Sequence, residues 1–246
     1  MLGRSTSLVL LAIFPLPLVG CSFDVPALSL TGDPVDLRTD PSVDLTGSVA
    51  DLSMAPDLRP VMGHLAGAVA DSTNMSVDLT TGARDWVHWG LNATPDITRK
   101  AGITPLISNF TGIGGGTLKR FTDNRVSFTW SDGAPTQSSS GTTNGVYYSN
   151  MPKGFQITAP ADGSTRTLKV YVSSYQADIA LTAHLSDASA FDYTNTQVNA
   201  VTNANIYREY TFVYRSATPG TLQVRWIDSV DHNGGGNVTL SAAILQ

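Results

Sequence analysis

From about residue 65 to the C-terminus, apolar and polar side chains alternate with a period of two. Arg166–Val172 alternates around Leu168 and Val170, and Tyr207–Tyr214, Thr221–Ile227 and Asn237–Leu245 repeat the pattern. Period-two runs rich in β-branched and aromatic residues mark half-buried strands. Further strands are expected at 65–70, 84–89, 117–121, 126–130, 145–148, 154–158 and 179–185. Turn clusters separate them: Ser131-Asp132-Gly133, Ala161-Asp162-Gly163, Thr218-Pro219-Gly220 and Asn233 with Gly234, Gly235 and Gly236. No stretch of a dozen residues carries a helical apolar stripe. About ten short strands joined by polar turns predict an all-β fold, an antiparallel β-sandwich of the jelly-roll kind.

The first 62 residues follow a different pattern. Met1–Arg4 is basic, Leu8–Val19 is apolar, and Gly20-Cys21 follows. This is the layout of an export signal. The apolar stretch falls short of the roughly 20 residues a membrane-spanning helix needs, and Pro15 and Pro17 interrupt it. Leu18-Val19-Gly20-Cys21 resembles the bacterial lipobox. That resemblance implies cleavage before Cys21, lipid on Cys21, and a mature protein held on a bacterial membrane. Ser22 after the cysteine would permit outer-membrane sorting in a Gram-negative cell. Cys21 is the only cysteine, which excludes an intrachain disulfide or a cysteine-based metal site.

Residues 1–20 are therefore read as signal peptide, 21–62 as an acidic linker and 63–246 as the β-domain. In the linker Asp-Leu recurs at Asp36-Leu37, Asp44-Leu45, Asp51-Leu52 and Asp57-Leu58, and prolines stand at positions 26, 34, 41, 56 and 60. Prolines at this density exclude a long helix, and the apolar content is too low for a core. The linker's seven Asp face only Arg38 and Arg59, so it carries a net charge of −5, equal to that of the whole chain. The β-domain is close to neutral and has no basic run, which argues against nucleic-acid binding.

The segment Asp78–Gly90, containing Asp85-Trp86-Val87-His88-Trp89-Gly90, is followed by Arg99-Lys100, Ile107-Ser108-Asn109 and Phe128–Gly133. Gly154-Phe155, Arg166–Tyr171, Leu181–Asp187 and Asn237–Leu240 come after these. In order and spacing these motifs resemble a module of large secreted bacterial proteins that often sits beside glycan-degrading enzymes. The resemblance covers about residue 65 to the C-terminus and implies a galactose-binding-like β-sandwich. No catalytic domain accompanies the module in this chain.

Sugar binding needs flat aromatic faces to stack on a pyranose, and polar groups to bond its hydroxyls. Trp86, His88, Trp89, Trp130 and Asp132 supply those types and are the candidate ligand-binding residues. Strand alternation puts Trp86 and His88 on one face and Val87 and Trp89 on the other. A two-layer sandwich can bury only one of these faces, so one tryptophan is expected outward, at a rim or under a loop. Tyr147-Tyr148 could extend such a surface. Asp228, Asp231 and Asn233, in a loop rich in oxygen donors, are candidate calcium ligands, although the EF-hand spacing is absent. No other cofactor is expected.

Catalytic signatures are missing. There is one glutamate, Glu209, and His64, His88, His184 and His232 lack zinc spacing. Gly112–Gly116 is followed by no Lys-Ser/Thr pair and reads as a loop, not a phosphate cradle. Three function classes stay open: a surface module that binds glycan or another extracellular polymer, a structural or protein-interaction lipoprotein, and a hydrolase whose site the sequence does not reveal. No enzyme activity is expected from the motifs present.

Overall fold

The computed structural model describes residues 62–201 and 203–246. The signal segment, Cys21 and the linker up to residue 61 lie outside the described residues. Eighteen strands and no helix occur among those described. In chain order they are β1 (His64–Asp71), β2 (Ser76–Asp78), β3 (Asp85–Trp89), β4 (Ile97–Lys100), β5 (Thr111–Ile113) and β6 (Lys119–Phe121). Next come β7 (Ser127–Trp130), β8 (Gly133–Ala134), β9 (Ser139–Thr142), β10 (Gly145–Ser149), β11 (Gly154–Ala161) and β12 (Arg166–Tyr175). The last six are β13 (Ala177–Leu185), β14 (Tyr193–Gln197), β15 (Asn205–Arg215), β16 (Gly220–Asp231), β17 (Asn237–Leu240) and β18 (Ala242–Leu245).

The long alternating runs build the centre of an all-β, largely antiparallel sandwich. One sheet has ten strands and runs β6-β10-β17-β12-β18-β3-β4-β8, with β15 and then β1 added beside β12. The facing sheet has five, in the order β14-β13-β16-β11-β5. Strand β12 is the organiser. It pairs with β15 along its whole length, and on its other edge with β18 at Leu168–Tyr171 and β17 at Ser174–Tyr175. The expected single strand Asn237–Leu245 is thus two, divided at Ser241, whose N–H donates to Tyr171 O at 3.1 Å.

Alternation decides what lies between the sheets. Leu168, Val170 and Val172 of β12, Tyr210, Phe212 and Tyr214 of β15, and Val238 and Leu240 of β17 meet Phe155, Ile157, Leu181, Val224 and Trp226 of the five-stranded sheet. Phe155 stacks on Trp226 at 5.6 Å between ring centroids. No disulfide crosses this core, so apolar burial and tight packing hold the sheets together.

The sequence pattern does not show a third layer, which the structure has. Strands β2, β7 and β9 form a separate three-stranded sheet in which β2 and β7 run parallel. It lies on part of the outer face of the ten-stranded sheet. Val77, Leu79, Val126, Phe128 and Trp130 pack there on Trp86, Tyr171, Tyr207, Ala242 and Ile244. No other described strand covers the rest of that outer face.

Candidate functional site

Strand β3 carries the aromatic motif between β18 and β4, with Val87 opposite Ala243 and Trp86 opposite Ile244. Val87 and Trp89 turn into the core between the two main sheets. Trp86 and His88 turn the other way, and the third layer covers them. Trp130 lies 5.3 Å from Trp86 and 5.3 Å from His88, and Phe128 lies 5.6 Å from His88. Gly90 ends the motif at φ 75°, and a Cβ there would stand 2.7 Å from Gly145 O. Only glycine combines that conformation with so close a backbone approach.

The expectation that one tryptophan lies outward is therefore corrected. Trp86, His88 and Trp89 are 0% exposed and Trp130 is 2% exposed. The two faces of β3 are both covered because the molecule has three layers here, not two. Asp132 closes the joint. It accepts hydrogen bonds from Trp86 Nε1 at 2.8 Å and Thr80 Oγ1 at 3.2 Å, and it pairs with Lys100. Partial burial alone would raise its carboxyl, but the bonds from Lys100 and Trp86 outweigh that and hold it below the usual carboxylate value. Burial pushes His88 down to about 4, so the ring is neutral at physiological pH. Trp86, His88, Trp130 and Asp132 thus form an internal joint, Trp89 lies in the main core, and none presents an open ring face.

The candidate calcium ligands are not assembled either. Asp231 Oδ1 accepts the N–H groups of Asn233 and Gly236, each at 3.0 Å, and so ties off its own loop. Asn233 Nδ2 donates to Gln176 Oε1 at 3.3 Å. Asp228 pairs with Ile179 and shares its inward face, fully buried. Among the described residues no three Asp, Glu, His or Cys side chains converge as a metal-binding group.

The part of the outer face that no described strand covers offers a different site. Beside the third layer, five adjacent strands, β6-β10-β17-β12-β15, floor a cleft of about 390 Å³. Its volume lies in the usual range for ligand pockets. Strand register builds it in two rows. Lys119, Tyr147 and Thr239 are cross-strand partners, and Ser173, bonded to Thr239, faces Tyr207. Alongside run Asn237, Tyr175 and Asn205. The inward residues of the same strands are core; of these outward positions Tyr147, Tyr175, Asn205 and Asn237 are accessible, and Ser173, Thr239 and Tyr207 are buried at the floor.

The aromatic members are held in place. Tyr175 donates its hydroxyl to Asn203 Oδ1 at 2.8 Å. Tyr147 has Phe121 at 6.4 Å on one side and the Lys119 ammonium 5.7 Å from its ring centroid. Gly145 leaves room for the Phe121 ring, which a Cβ would overlap at 2.4 Å. Ser173 Oγ and Thr239 Oγ1 bond at 2.7 Å on the floor. Arg120 fixes the rim by donating from Nε to Gly90 O at 2.6 Å and from Nη2 to Leu91 O at 2.7 Å. Burial raises the Tyr207 hydroxyl above its ordinary value, so it stays protonated near neutral pH. The cleft therefore offers ring faces, amides and hydroxyls, with Asp123 its lining carboxylate and Arg120 its lining cation.

Of these residues the sequence pattern singled out Tyr147 but not Ser173, Tyr175, Asn205, Asn237 or Thr239. Tyr148, its neighbour, is a core residue. The available signal was the polar half of β12 and β17, where Ser173 and Tyr175 alternate with core Val172, and Asn237 and Thr239 with core Val238.

No protein-family model and no curated protein sequence matches this chain. Among solved structures, it is similar to a family 61 carbohydrate-binding module in complex with β-1,4-galactotriose, at TM-score 0.33 and 10% identity over 56% of this chain and 86% of that one. It is also similar to the K2 cleaved adhesin domain of Lys-gingipain, at TM-score 0.34 and 11% identity over 65% of this chain and 97% of that one. Likeness at this level assigns no residue a role.

Proposed function

We propose that this protein is an exported bacterial lipoprotein, anchored through lipid on Cys21, whose β-domain binds an extracellular glycan in the cleft between Tyr147 and Tyr207. The observation that carries the binding role is the cleft itself. It is an open, strand-floored surface where held aromatic rings lie beside amide and hydroxyl groups. A pyranose presents the matching chemistry: C–H bonds for a ring face and hydroxyls that both donate and accept. The floor is sheet, not loop, so little ordering cost opposes binding. The anchor rests on the lipobox and on the single cysteine. The acidic linker would then act as a spacer between membrane and domain.

A non-catalytic role accords with the carboxylates present. Glu209 is buried and salt-bridged to Lys169 at 2.9 Å. Burial would raise its carboxyl, but the bond from Lys169 prevails and holds it below the ordinary value, which suits an ion pair and not a general acid. The test is a glycan array probed with the purified protein, followed by calorimetry on any hit. Binding that Tyr147→Ala and Asn237→Ala both weaken supports the reading. An array without hits removes the glycan role and leaves the alternative of a structural or protein-interaction lipoprotein.

A further inference from the structure

We infer that the cleft selects an acidic saccharide, one carrying uronate or sulfate groups; this rests on the glycan-binding reading of the same cleft. The observation is the distribution of charge around it. The β-domain as a whole is nearly balanced, and several of its cations are consumed in ion pairs: Lys100 with Asp132, Arg166 with Asp162, Lys169 with Glu209 and Arg208 with Asp71. The cations at the cleft are spent differently.

Lys119 holds its ammonium over the Tyr147 ring. Arg120 uses Nε and Nη2 on the neutral carbonyls of Gly90 and Leu91, which fixes the guanidinium without cancelling its charge. Arg125 is exposed, follows the lining residue Asn124, and its charge is felt at the Tyr207 hydroxyl. Asp123 is the one carboxylate among the residues that line the cleft. Arg120 and Asp123 thus line the cleft with one charge of each sign, and Lys119 and Arg125, each next to a lining residue, add two cations to a surface that already has ring faces and amides. A neutral sugar uses the rings and amides but leaves this excess unused, whereas an acidic sugar uses all three. An anion brought there gains charge-assisted bonds, and the field draws it in from solution.

The chemistry also separates a saccharide from other polyanions. The floor of hydroxyls and amides, Ser173, Thr239, Asn205 and Asn237, matches a polyhydroxylated ligand. Five strands spaced about 4.8 Å apart give a floor about 19 Å across, long enough for a short oligosaccharide.

Calorimetry on the full-length protein in detergent decides it. The probes are oligogalacturonate and a heparin-derived oligosaccharide, neutral gluco- and galacto-oligosaccharides of equal length, and a single-stranded DNA of equal charge. The expected result is that an acidic saccharide binds best and weakens as salt is raised. Lys119→Gln and Arg125→Gln, both exposed and outside the core, should each cost roughly three- to fivefold in affinity, the scale of an exposed ion pair. Tyr147→Ala should cost more. Preference for neutral saccharides with no salt dependence would overturn the acidic class and leave the glycan reading intact. DNA binding as tight as the acidic saccharide would make this a general anion surface and overturn the inference. Binding of no saccharide at all would overturn both readings.

Discussion

Replacing Asp228 with asparagine should stabilise the β-domain at neutral pH. The carboxylate sits on β16 facing inward beside Ile179, fully buried, and neither oxygen has a hydrogen-bond partner among the described residues. Burial, followed by the nearby charges of Asp231 and Asp178, raises its carboxyl from the usual 3.8 to about 6. In the unfolded chain the group ionises near its ordinary value. The folded state therefore holds a proton that the unfolded state releases between about pH 4 and 6. The group's stabilising share is present below pH 4, declines as pH rises through this window and is gone above it. About two pKa units at 1.36 kcal/mol each amount to about 3 kcal/mol. Asparagine keeps the shape without the charge, so at pH 7.5 the variant should gain up to about 3 kcal/mol, and at pH 4 almost nothing. For a domain of this size that is roughly 6–12 °C in melting temperature. Thermal melts of wild type and variant by circular dichroism across pH 4–8 measure the difference directly. A difference that does not grow with pH, or a variant less stable at pH 7.5, would refute the reasoning. Loss of wild-type stability on adding EDTA would show that the carboxylate holds a cation.

Trp86→Ala and Trp89→Ala should each cost about 3–5 kcal/mol in chemical denaturation, since each side chain is wholly buried on its own face of β3; a nearly neutral result for either would mean that its face is open in solution. Asp132→Ala should cost about 1–3 kcal/mol by leaving Trp86 Nε1 buried without its acceptor, and equal stability of the variant would remove Asp132 from the joint. Cys21→Ser should abolish acylation and membrane retention, read by mass spectrometry of the membrane fraction; an unacylated wild-type Cys21 there contradicts the anchor. A protein beginning at Gly63 should melt cooperatively, because the described core draws only on strands from His64 onward; a broad melt would mean that earlier residues complete the core.

The sheets were legible wherever the alternation ran long. The runs at Arg166–Val172, Tyr207–Tyr214 and Thr221–Ile227 fall inside β12, β15 and β16. Short strands such as β2, β4, β8 and β9 were not, because two to four residues give no period to count. The third layer escaped for the same reason, since β2 and β9 supply two of its three strands. That omission explains the misplaced site. Alternation put Trp86 and Trp89 on opposite faces, which the structure shows, but only the third layer decides that both are covered. The cleft depends on register between strands far apart in sequence. Tyr147 meets Thr239, and Tyr175 meets both Asn205 and Asn237, pairings that no local pattern displays.

The central claim is that the Tyr147–Tyr207 cleft binds glycan, and one competition measures it most directly. Saccharide binding to wild type and to Tyr147→Ala is followed by calorimetry, with circular dichroism confirming that the variant melts as wild type does. Tyr147 is half-buried on the outer face, so its loss should leave the fold intact. The account predicts a saccharide that binds wild type and loses at least tenfold in affinity on the variant, about the stacking contribution of one aromatic ring. Equal binding by the two proteins would place the ligand elsewhere and contradict it.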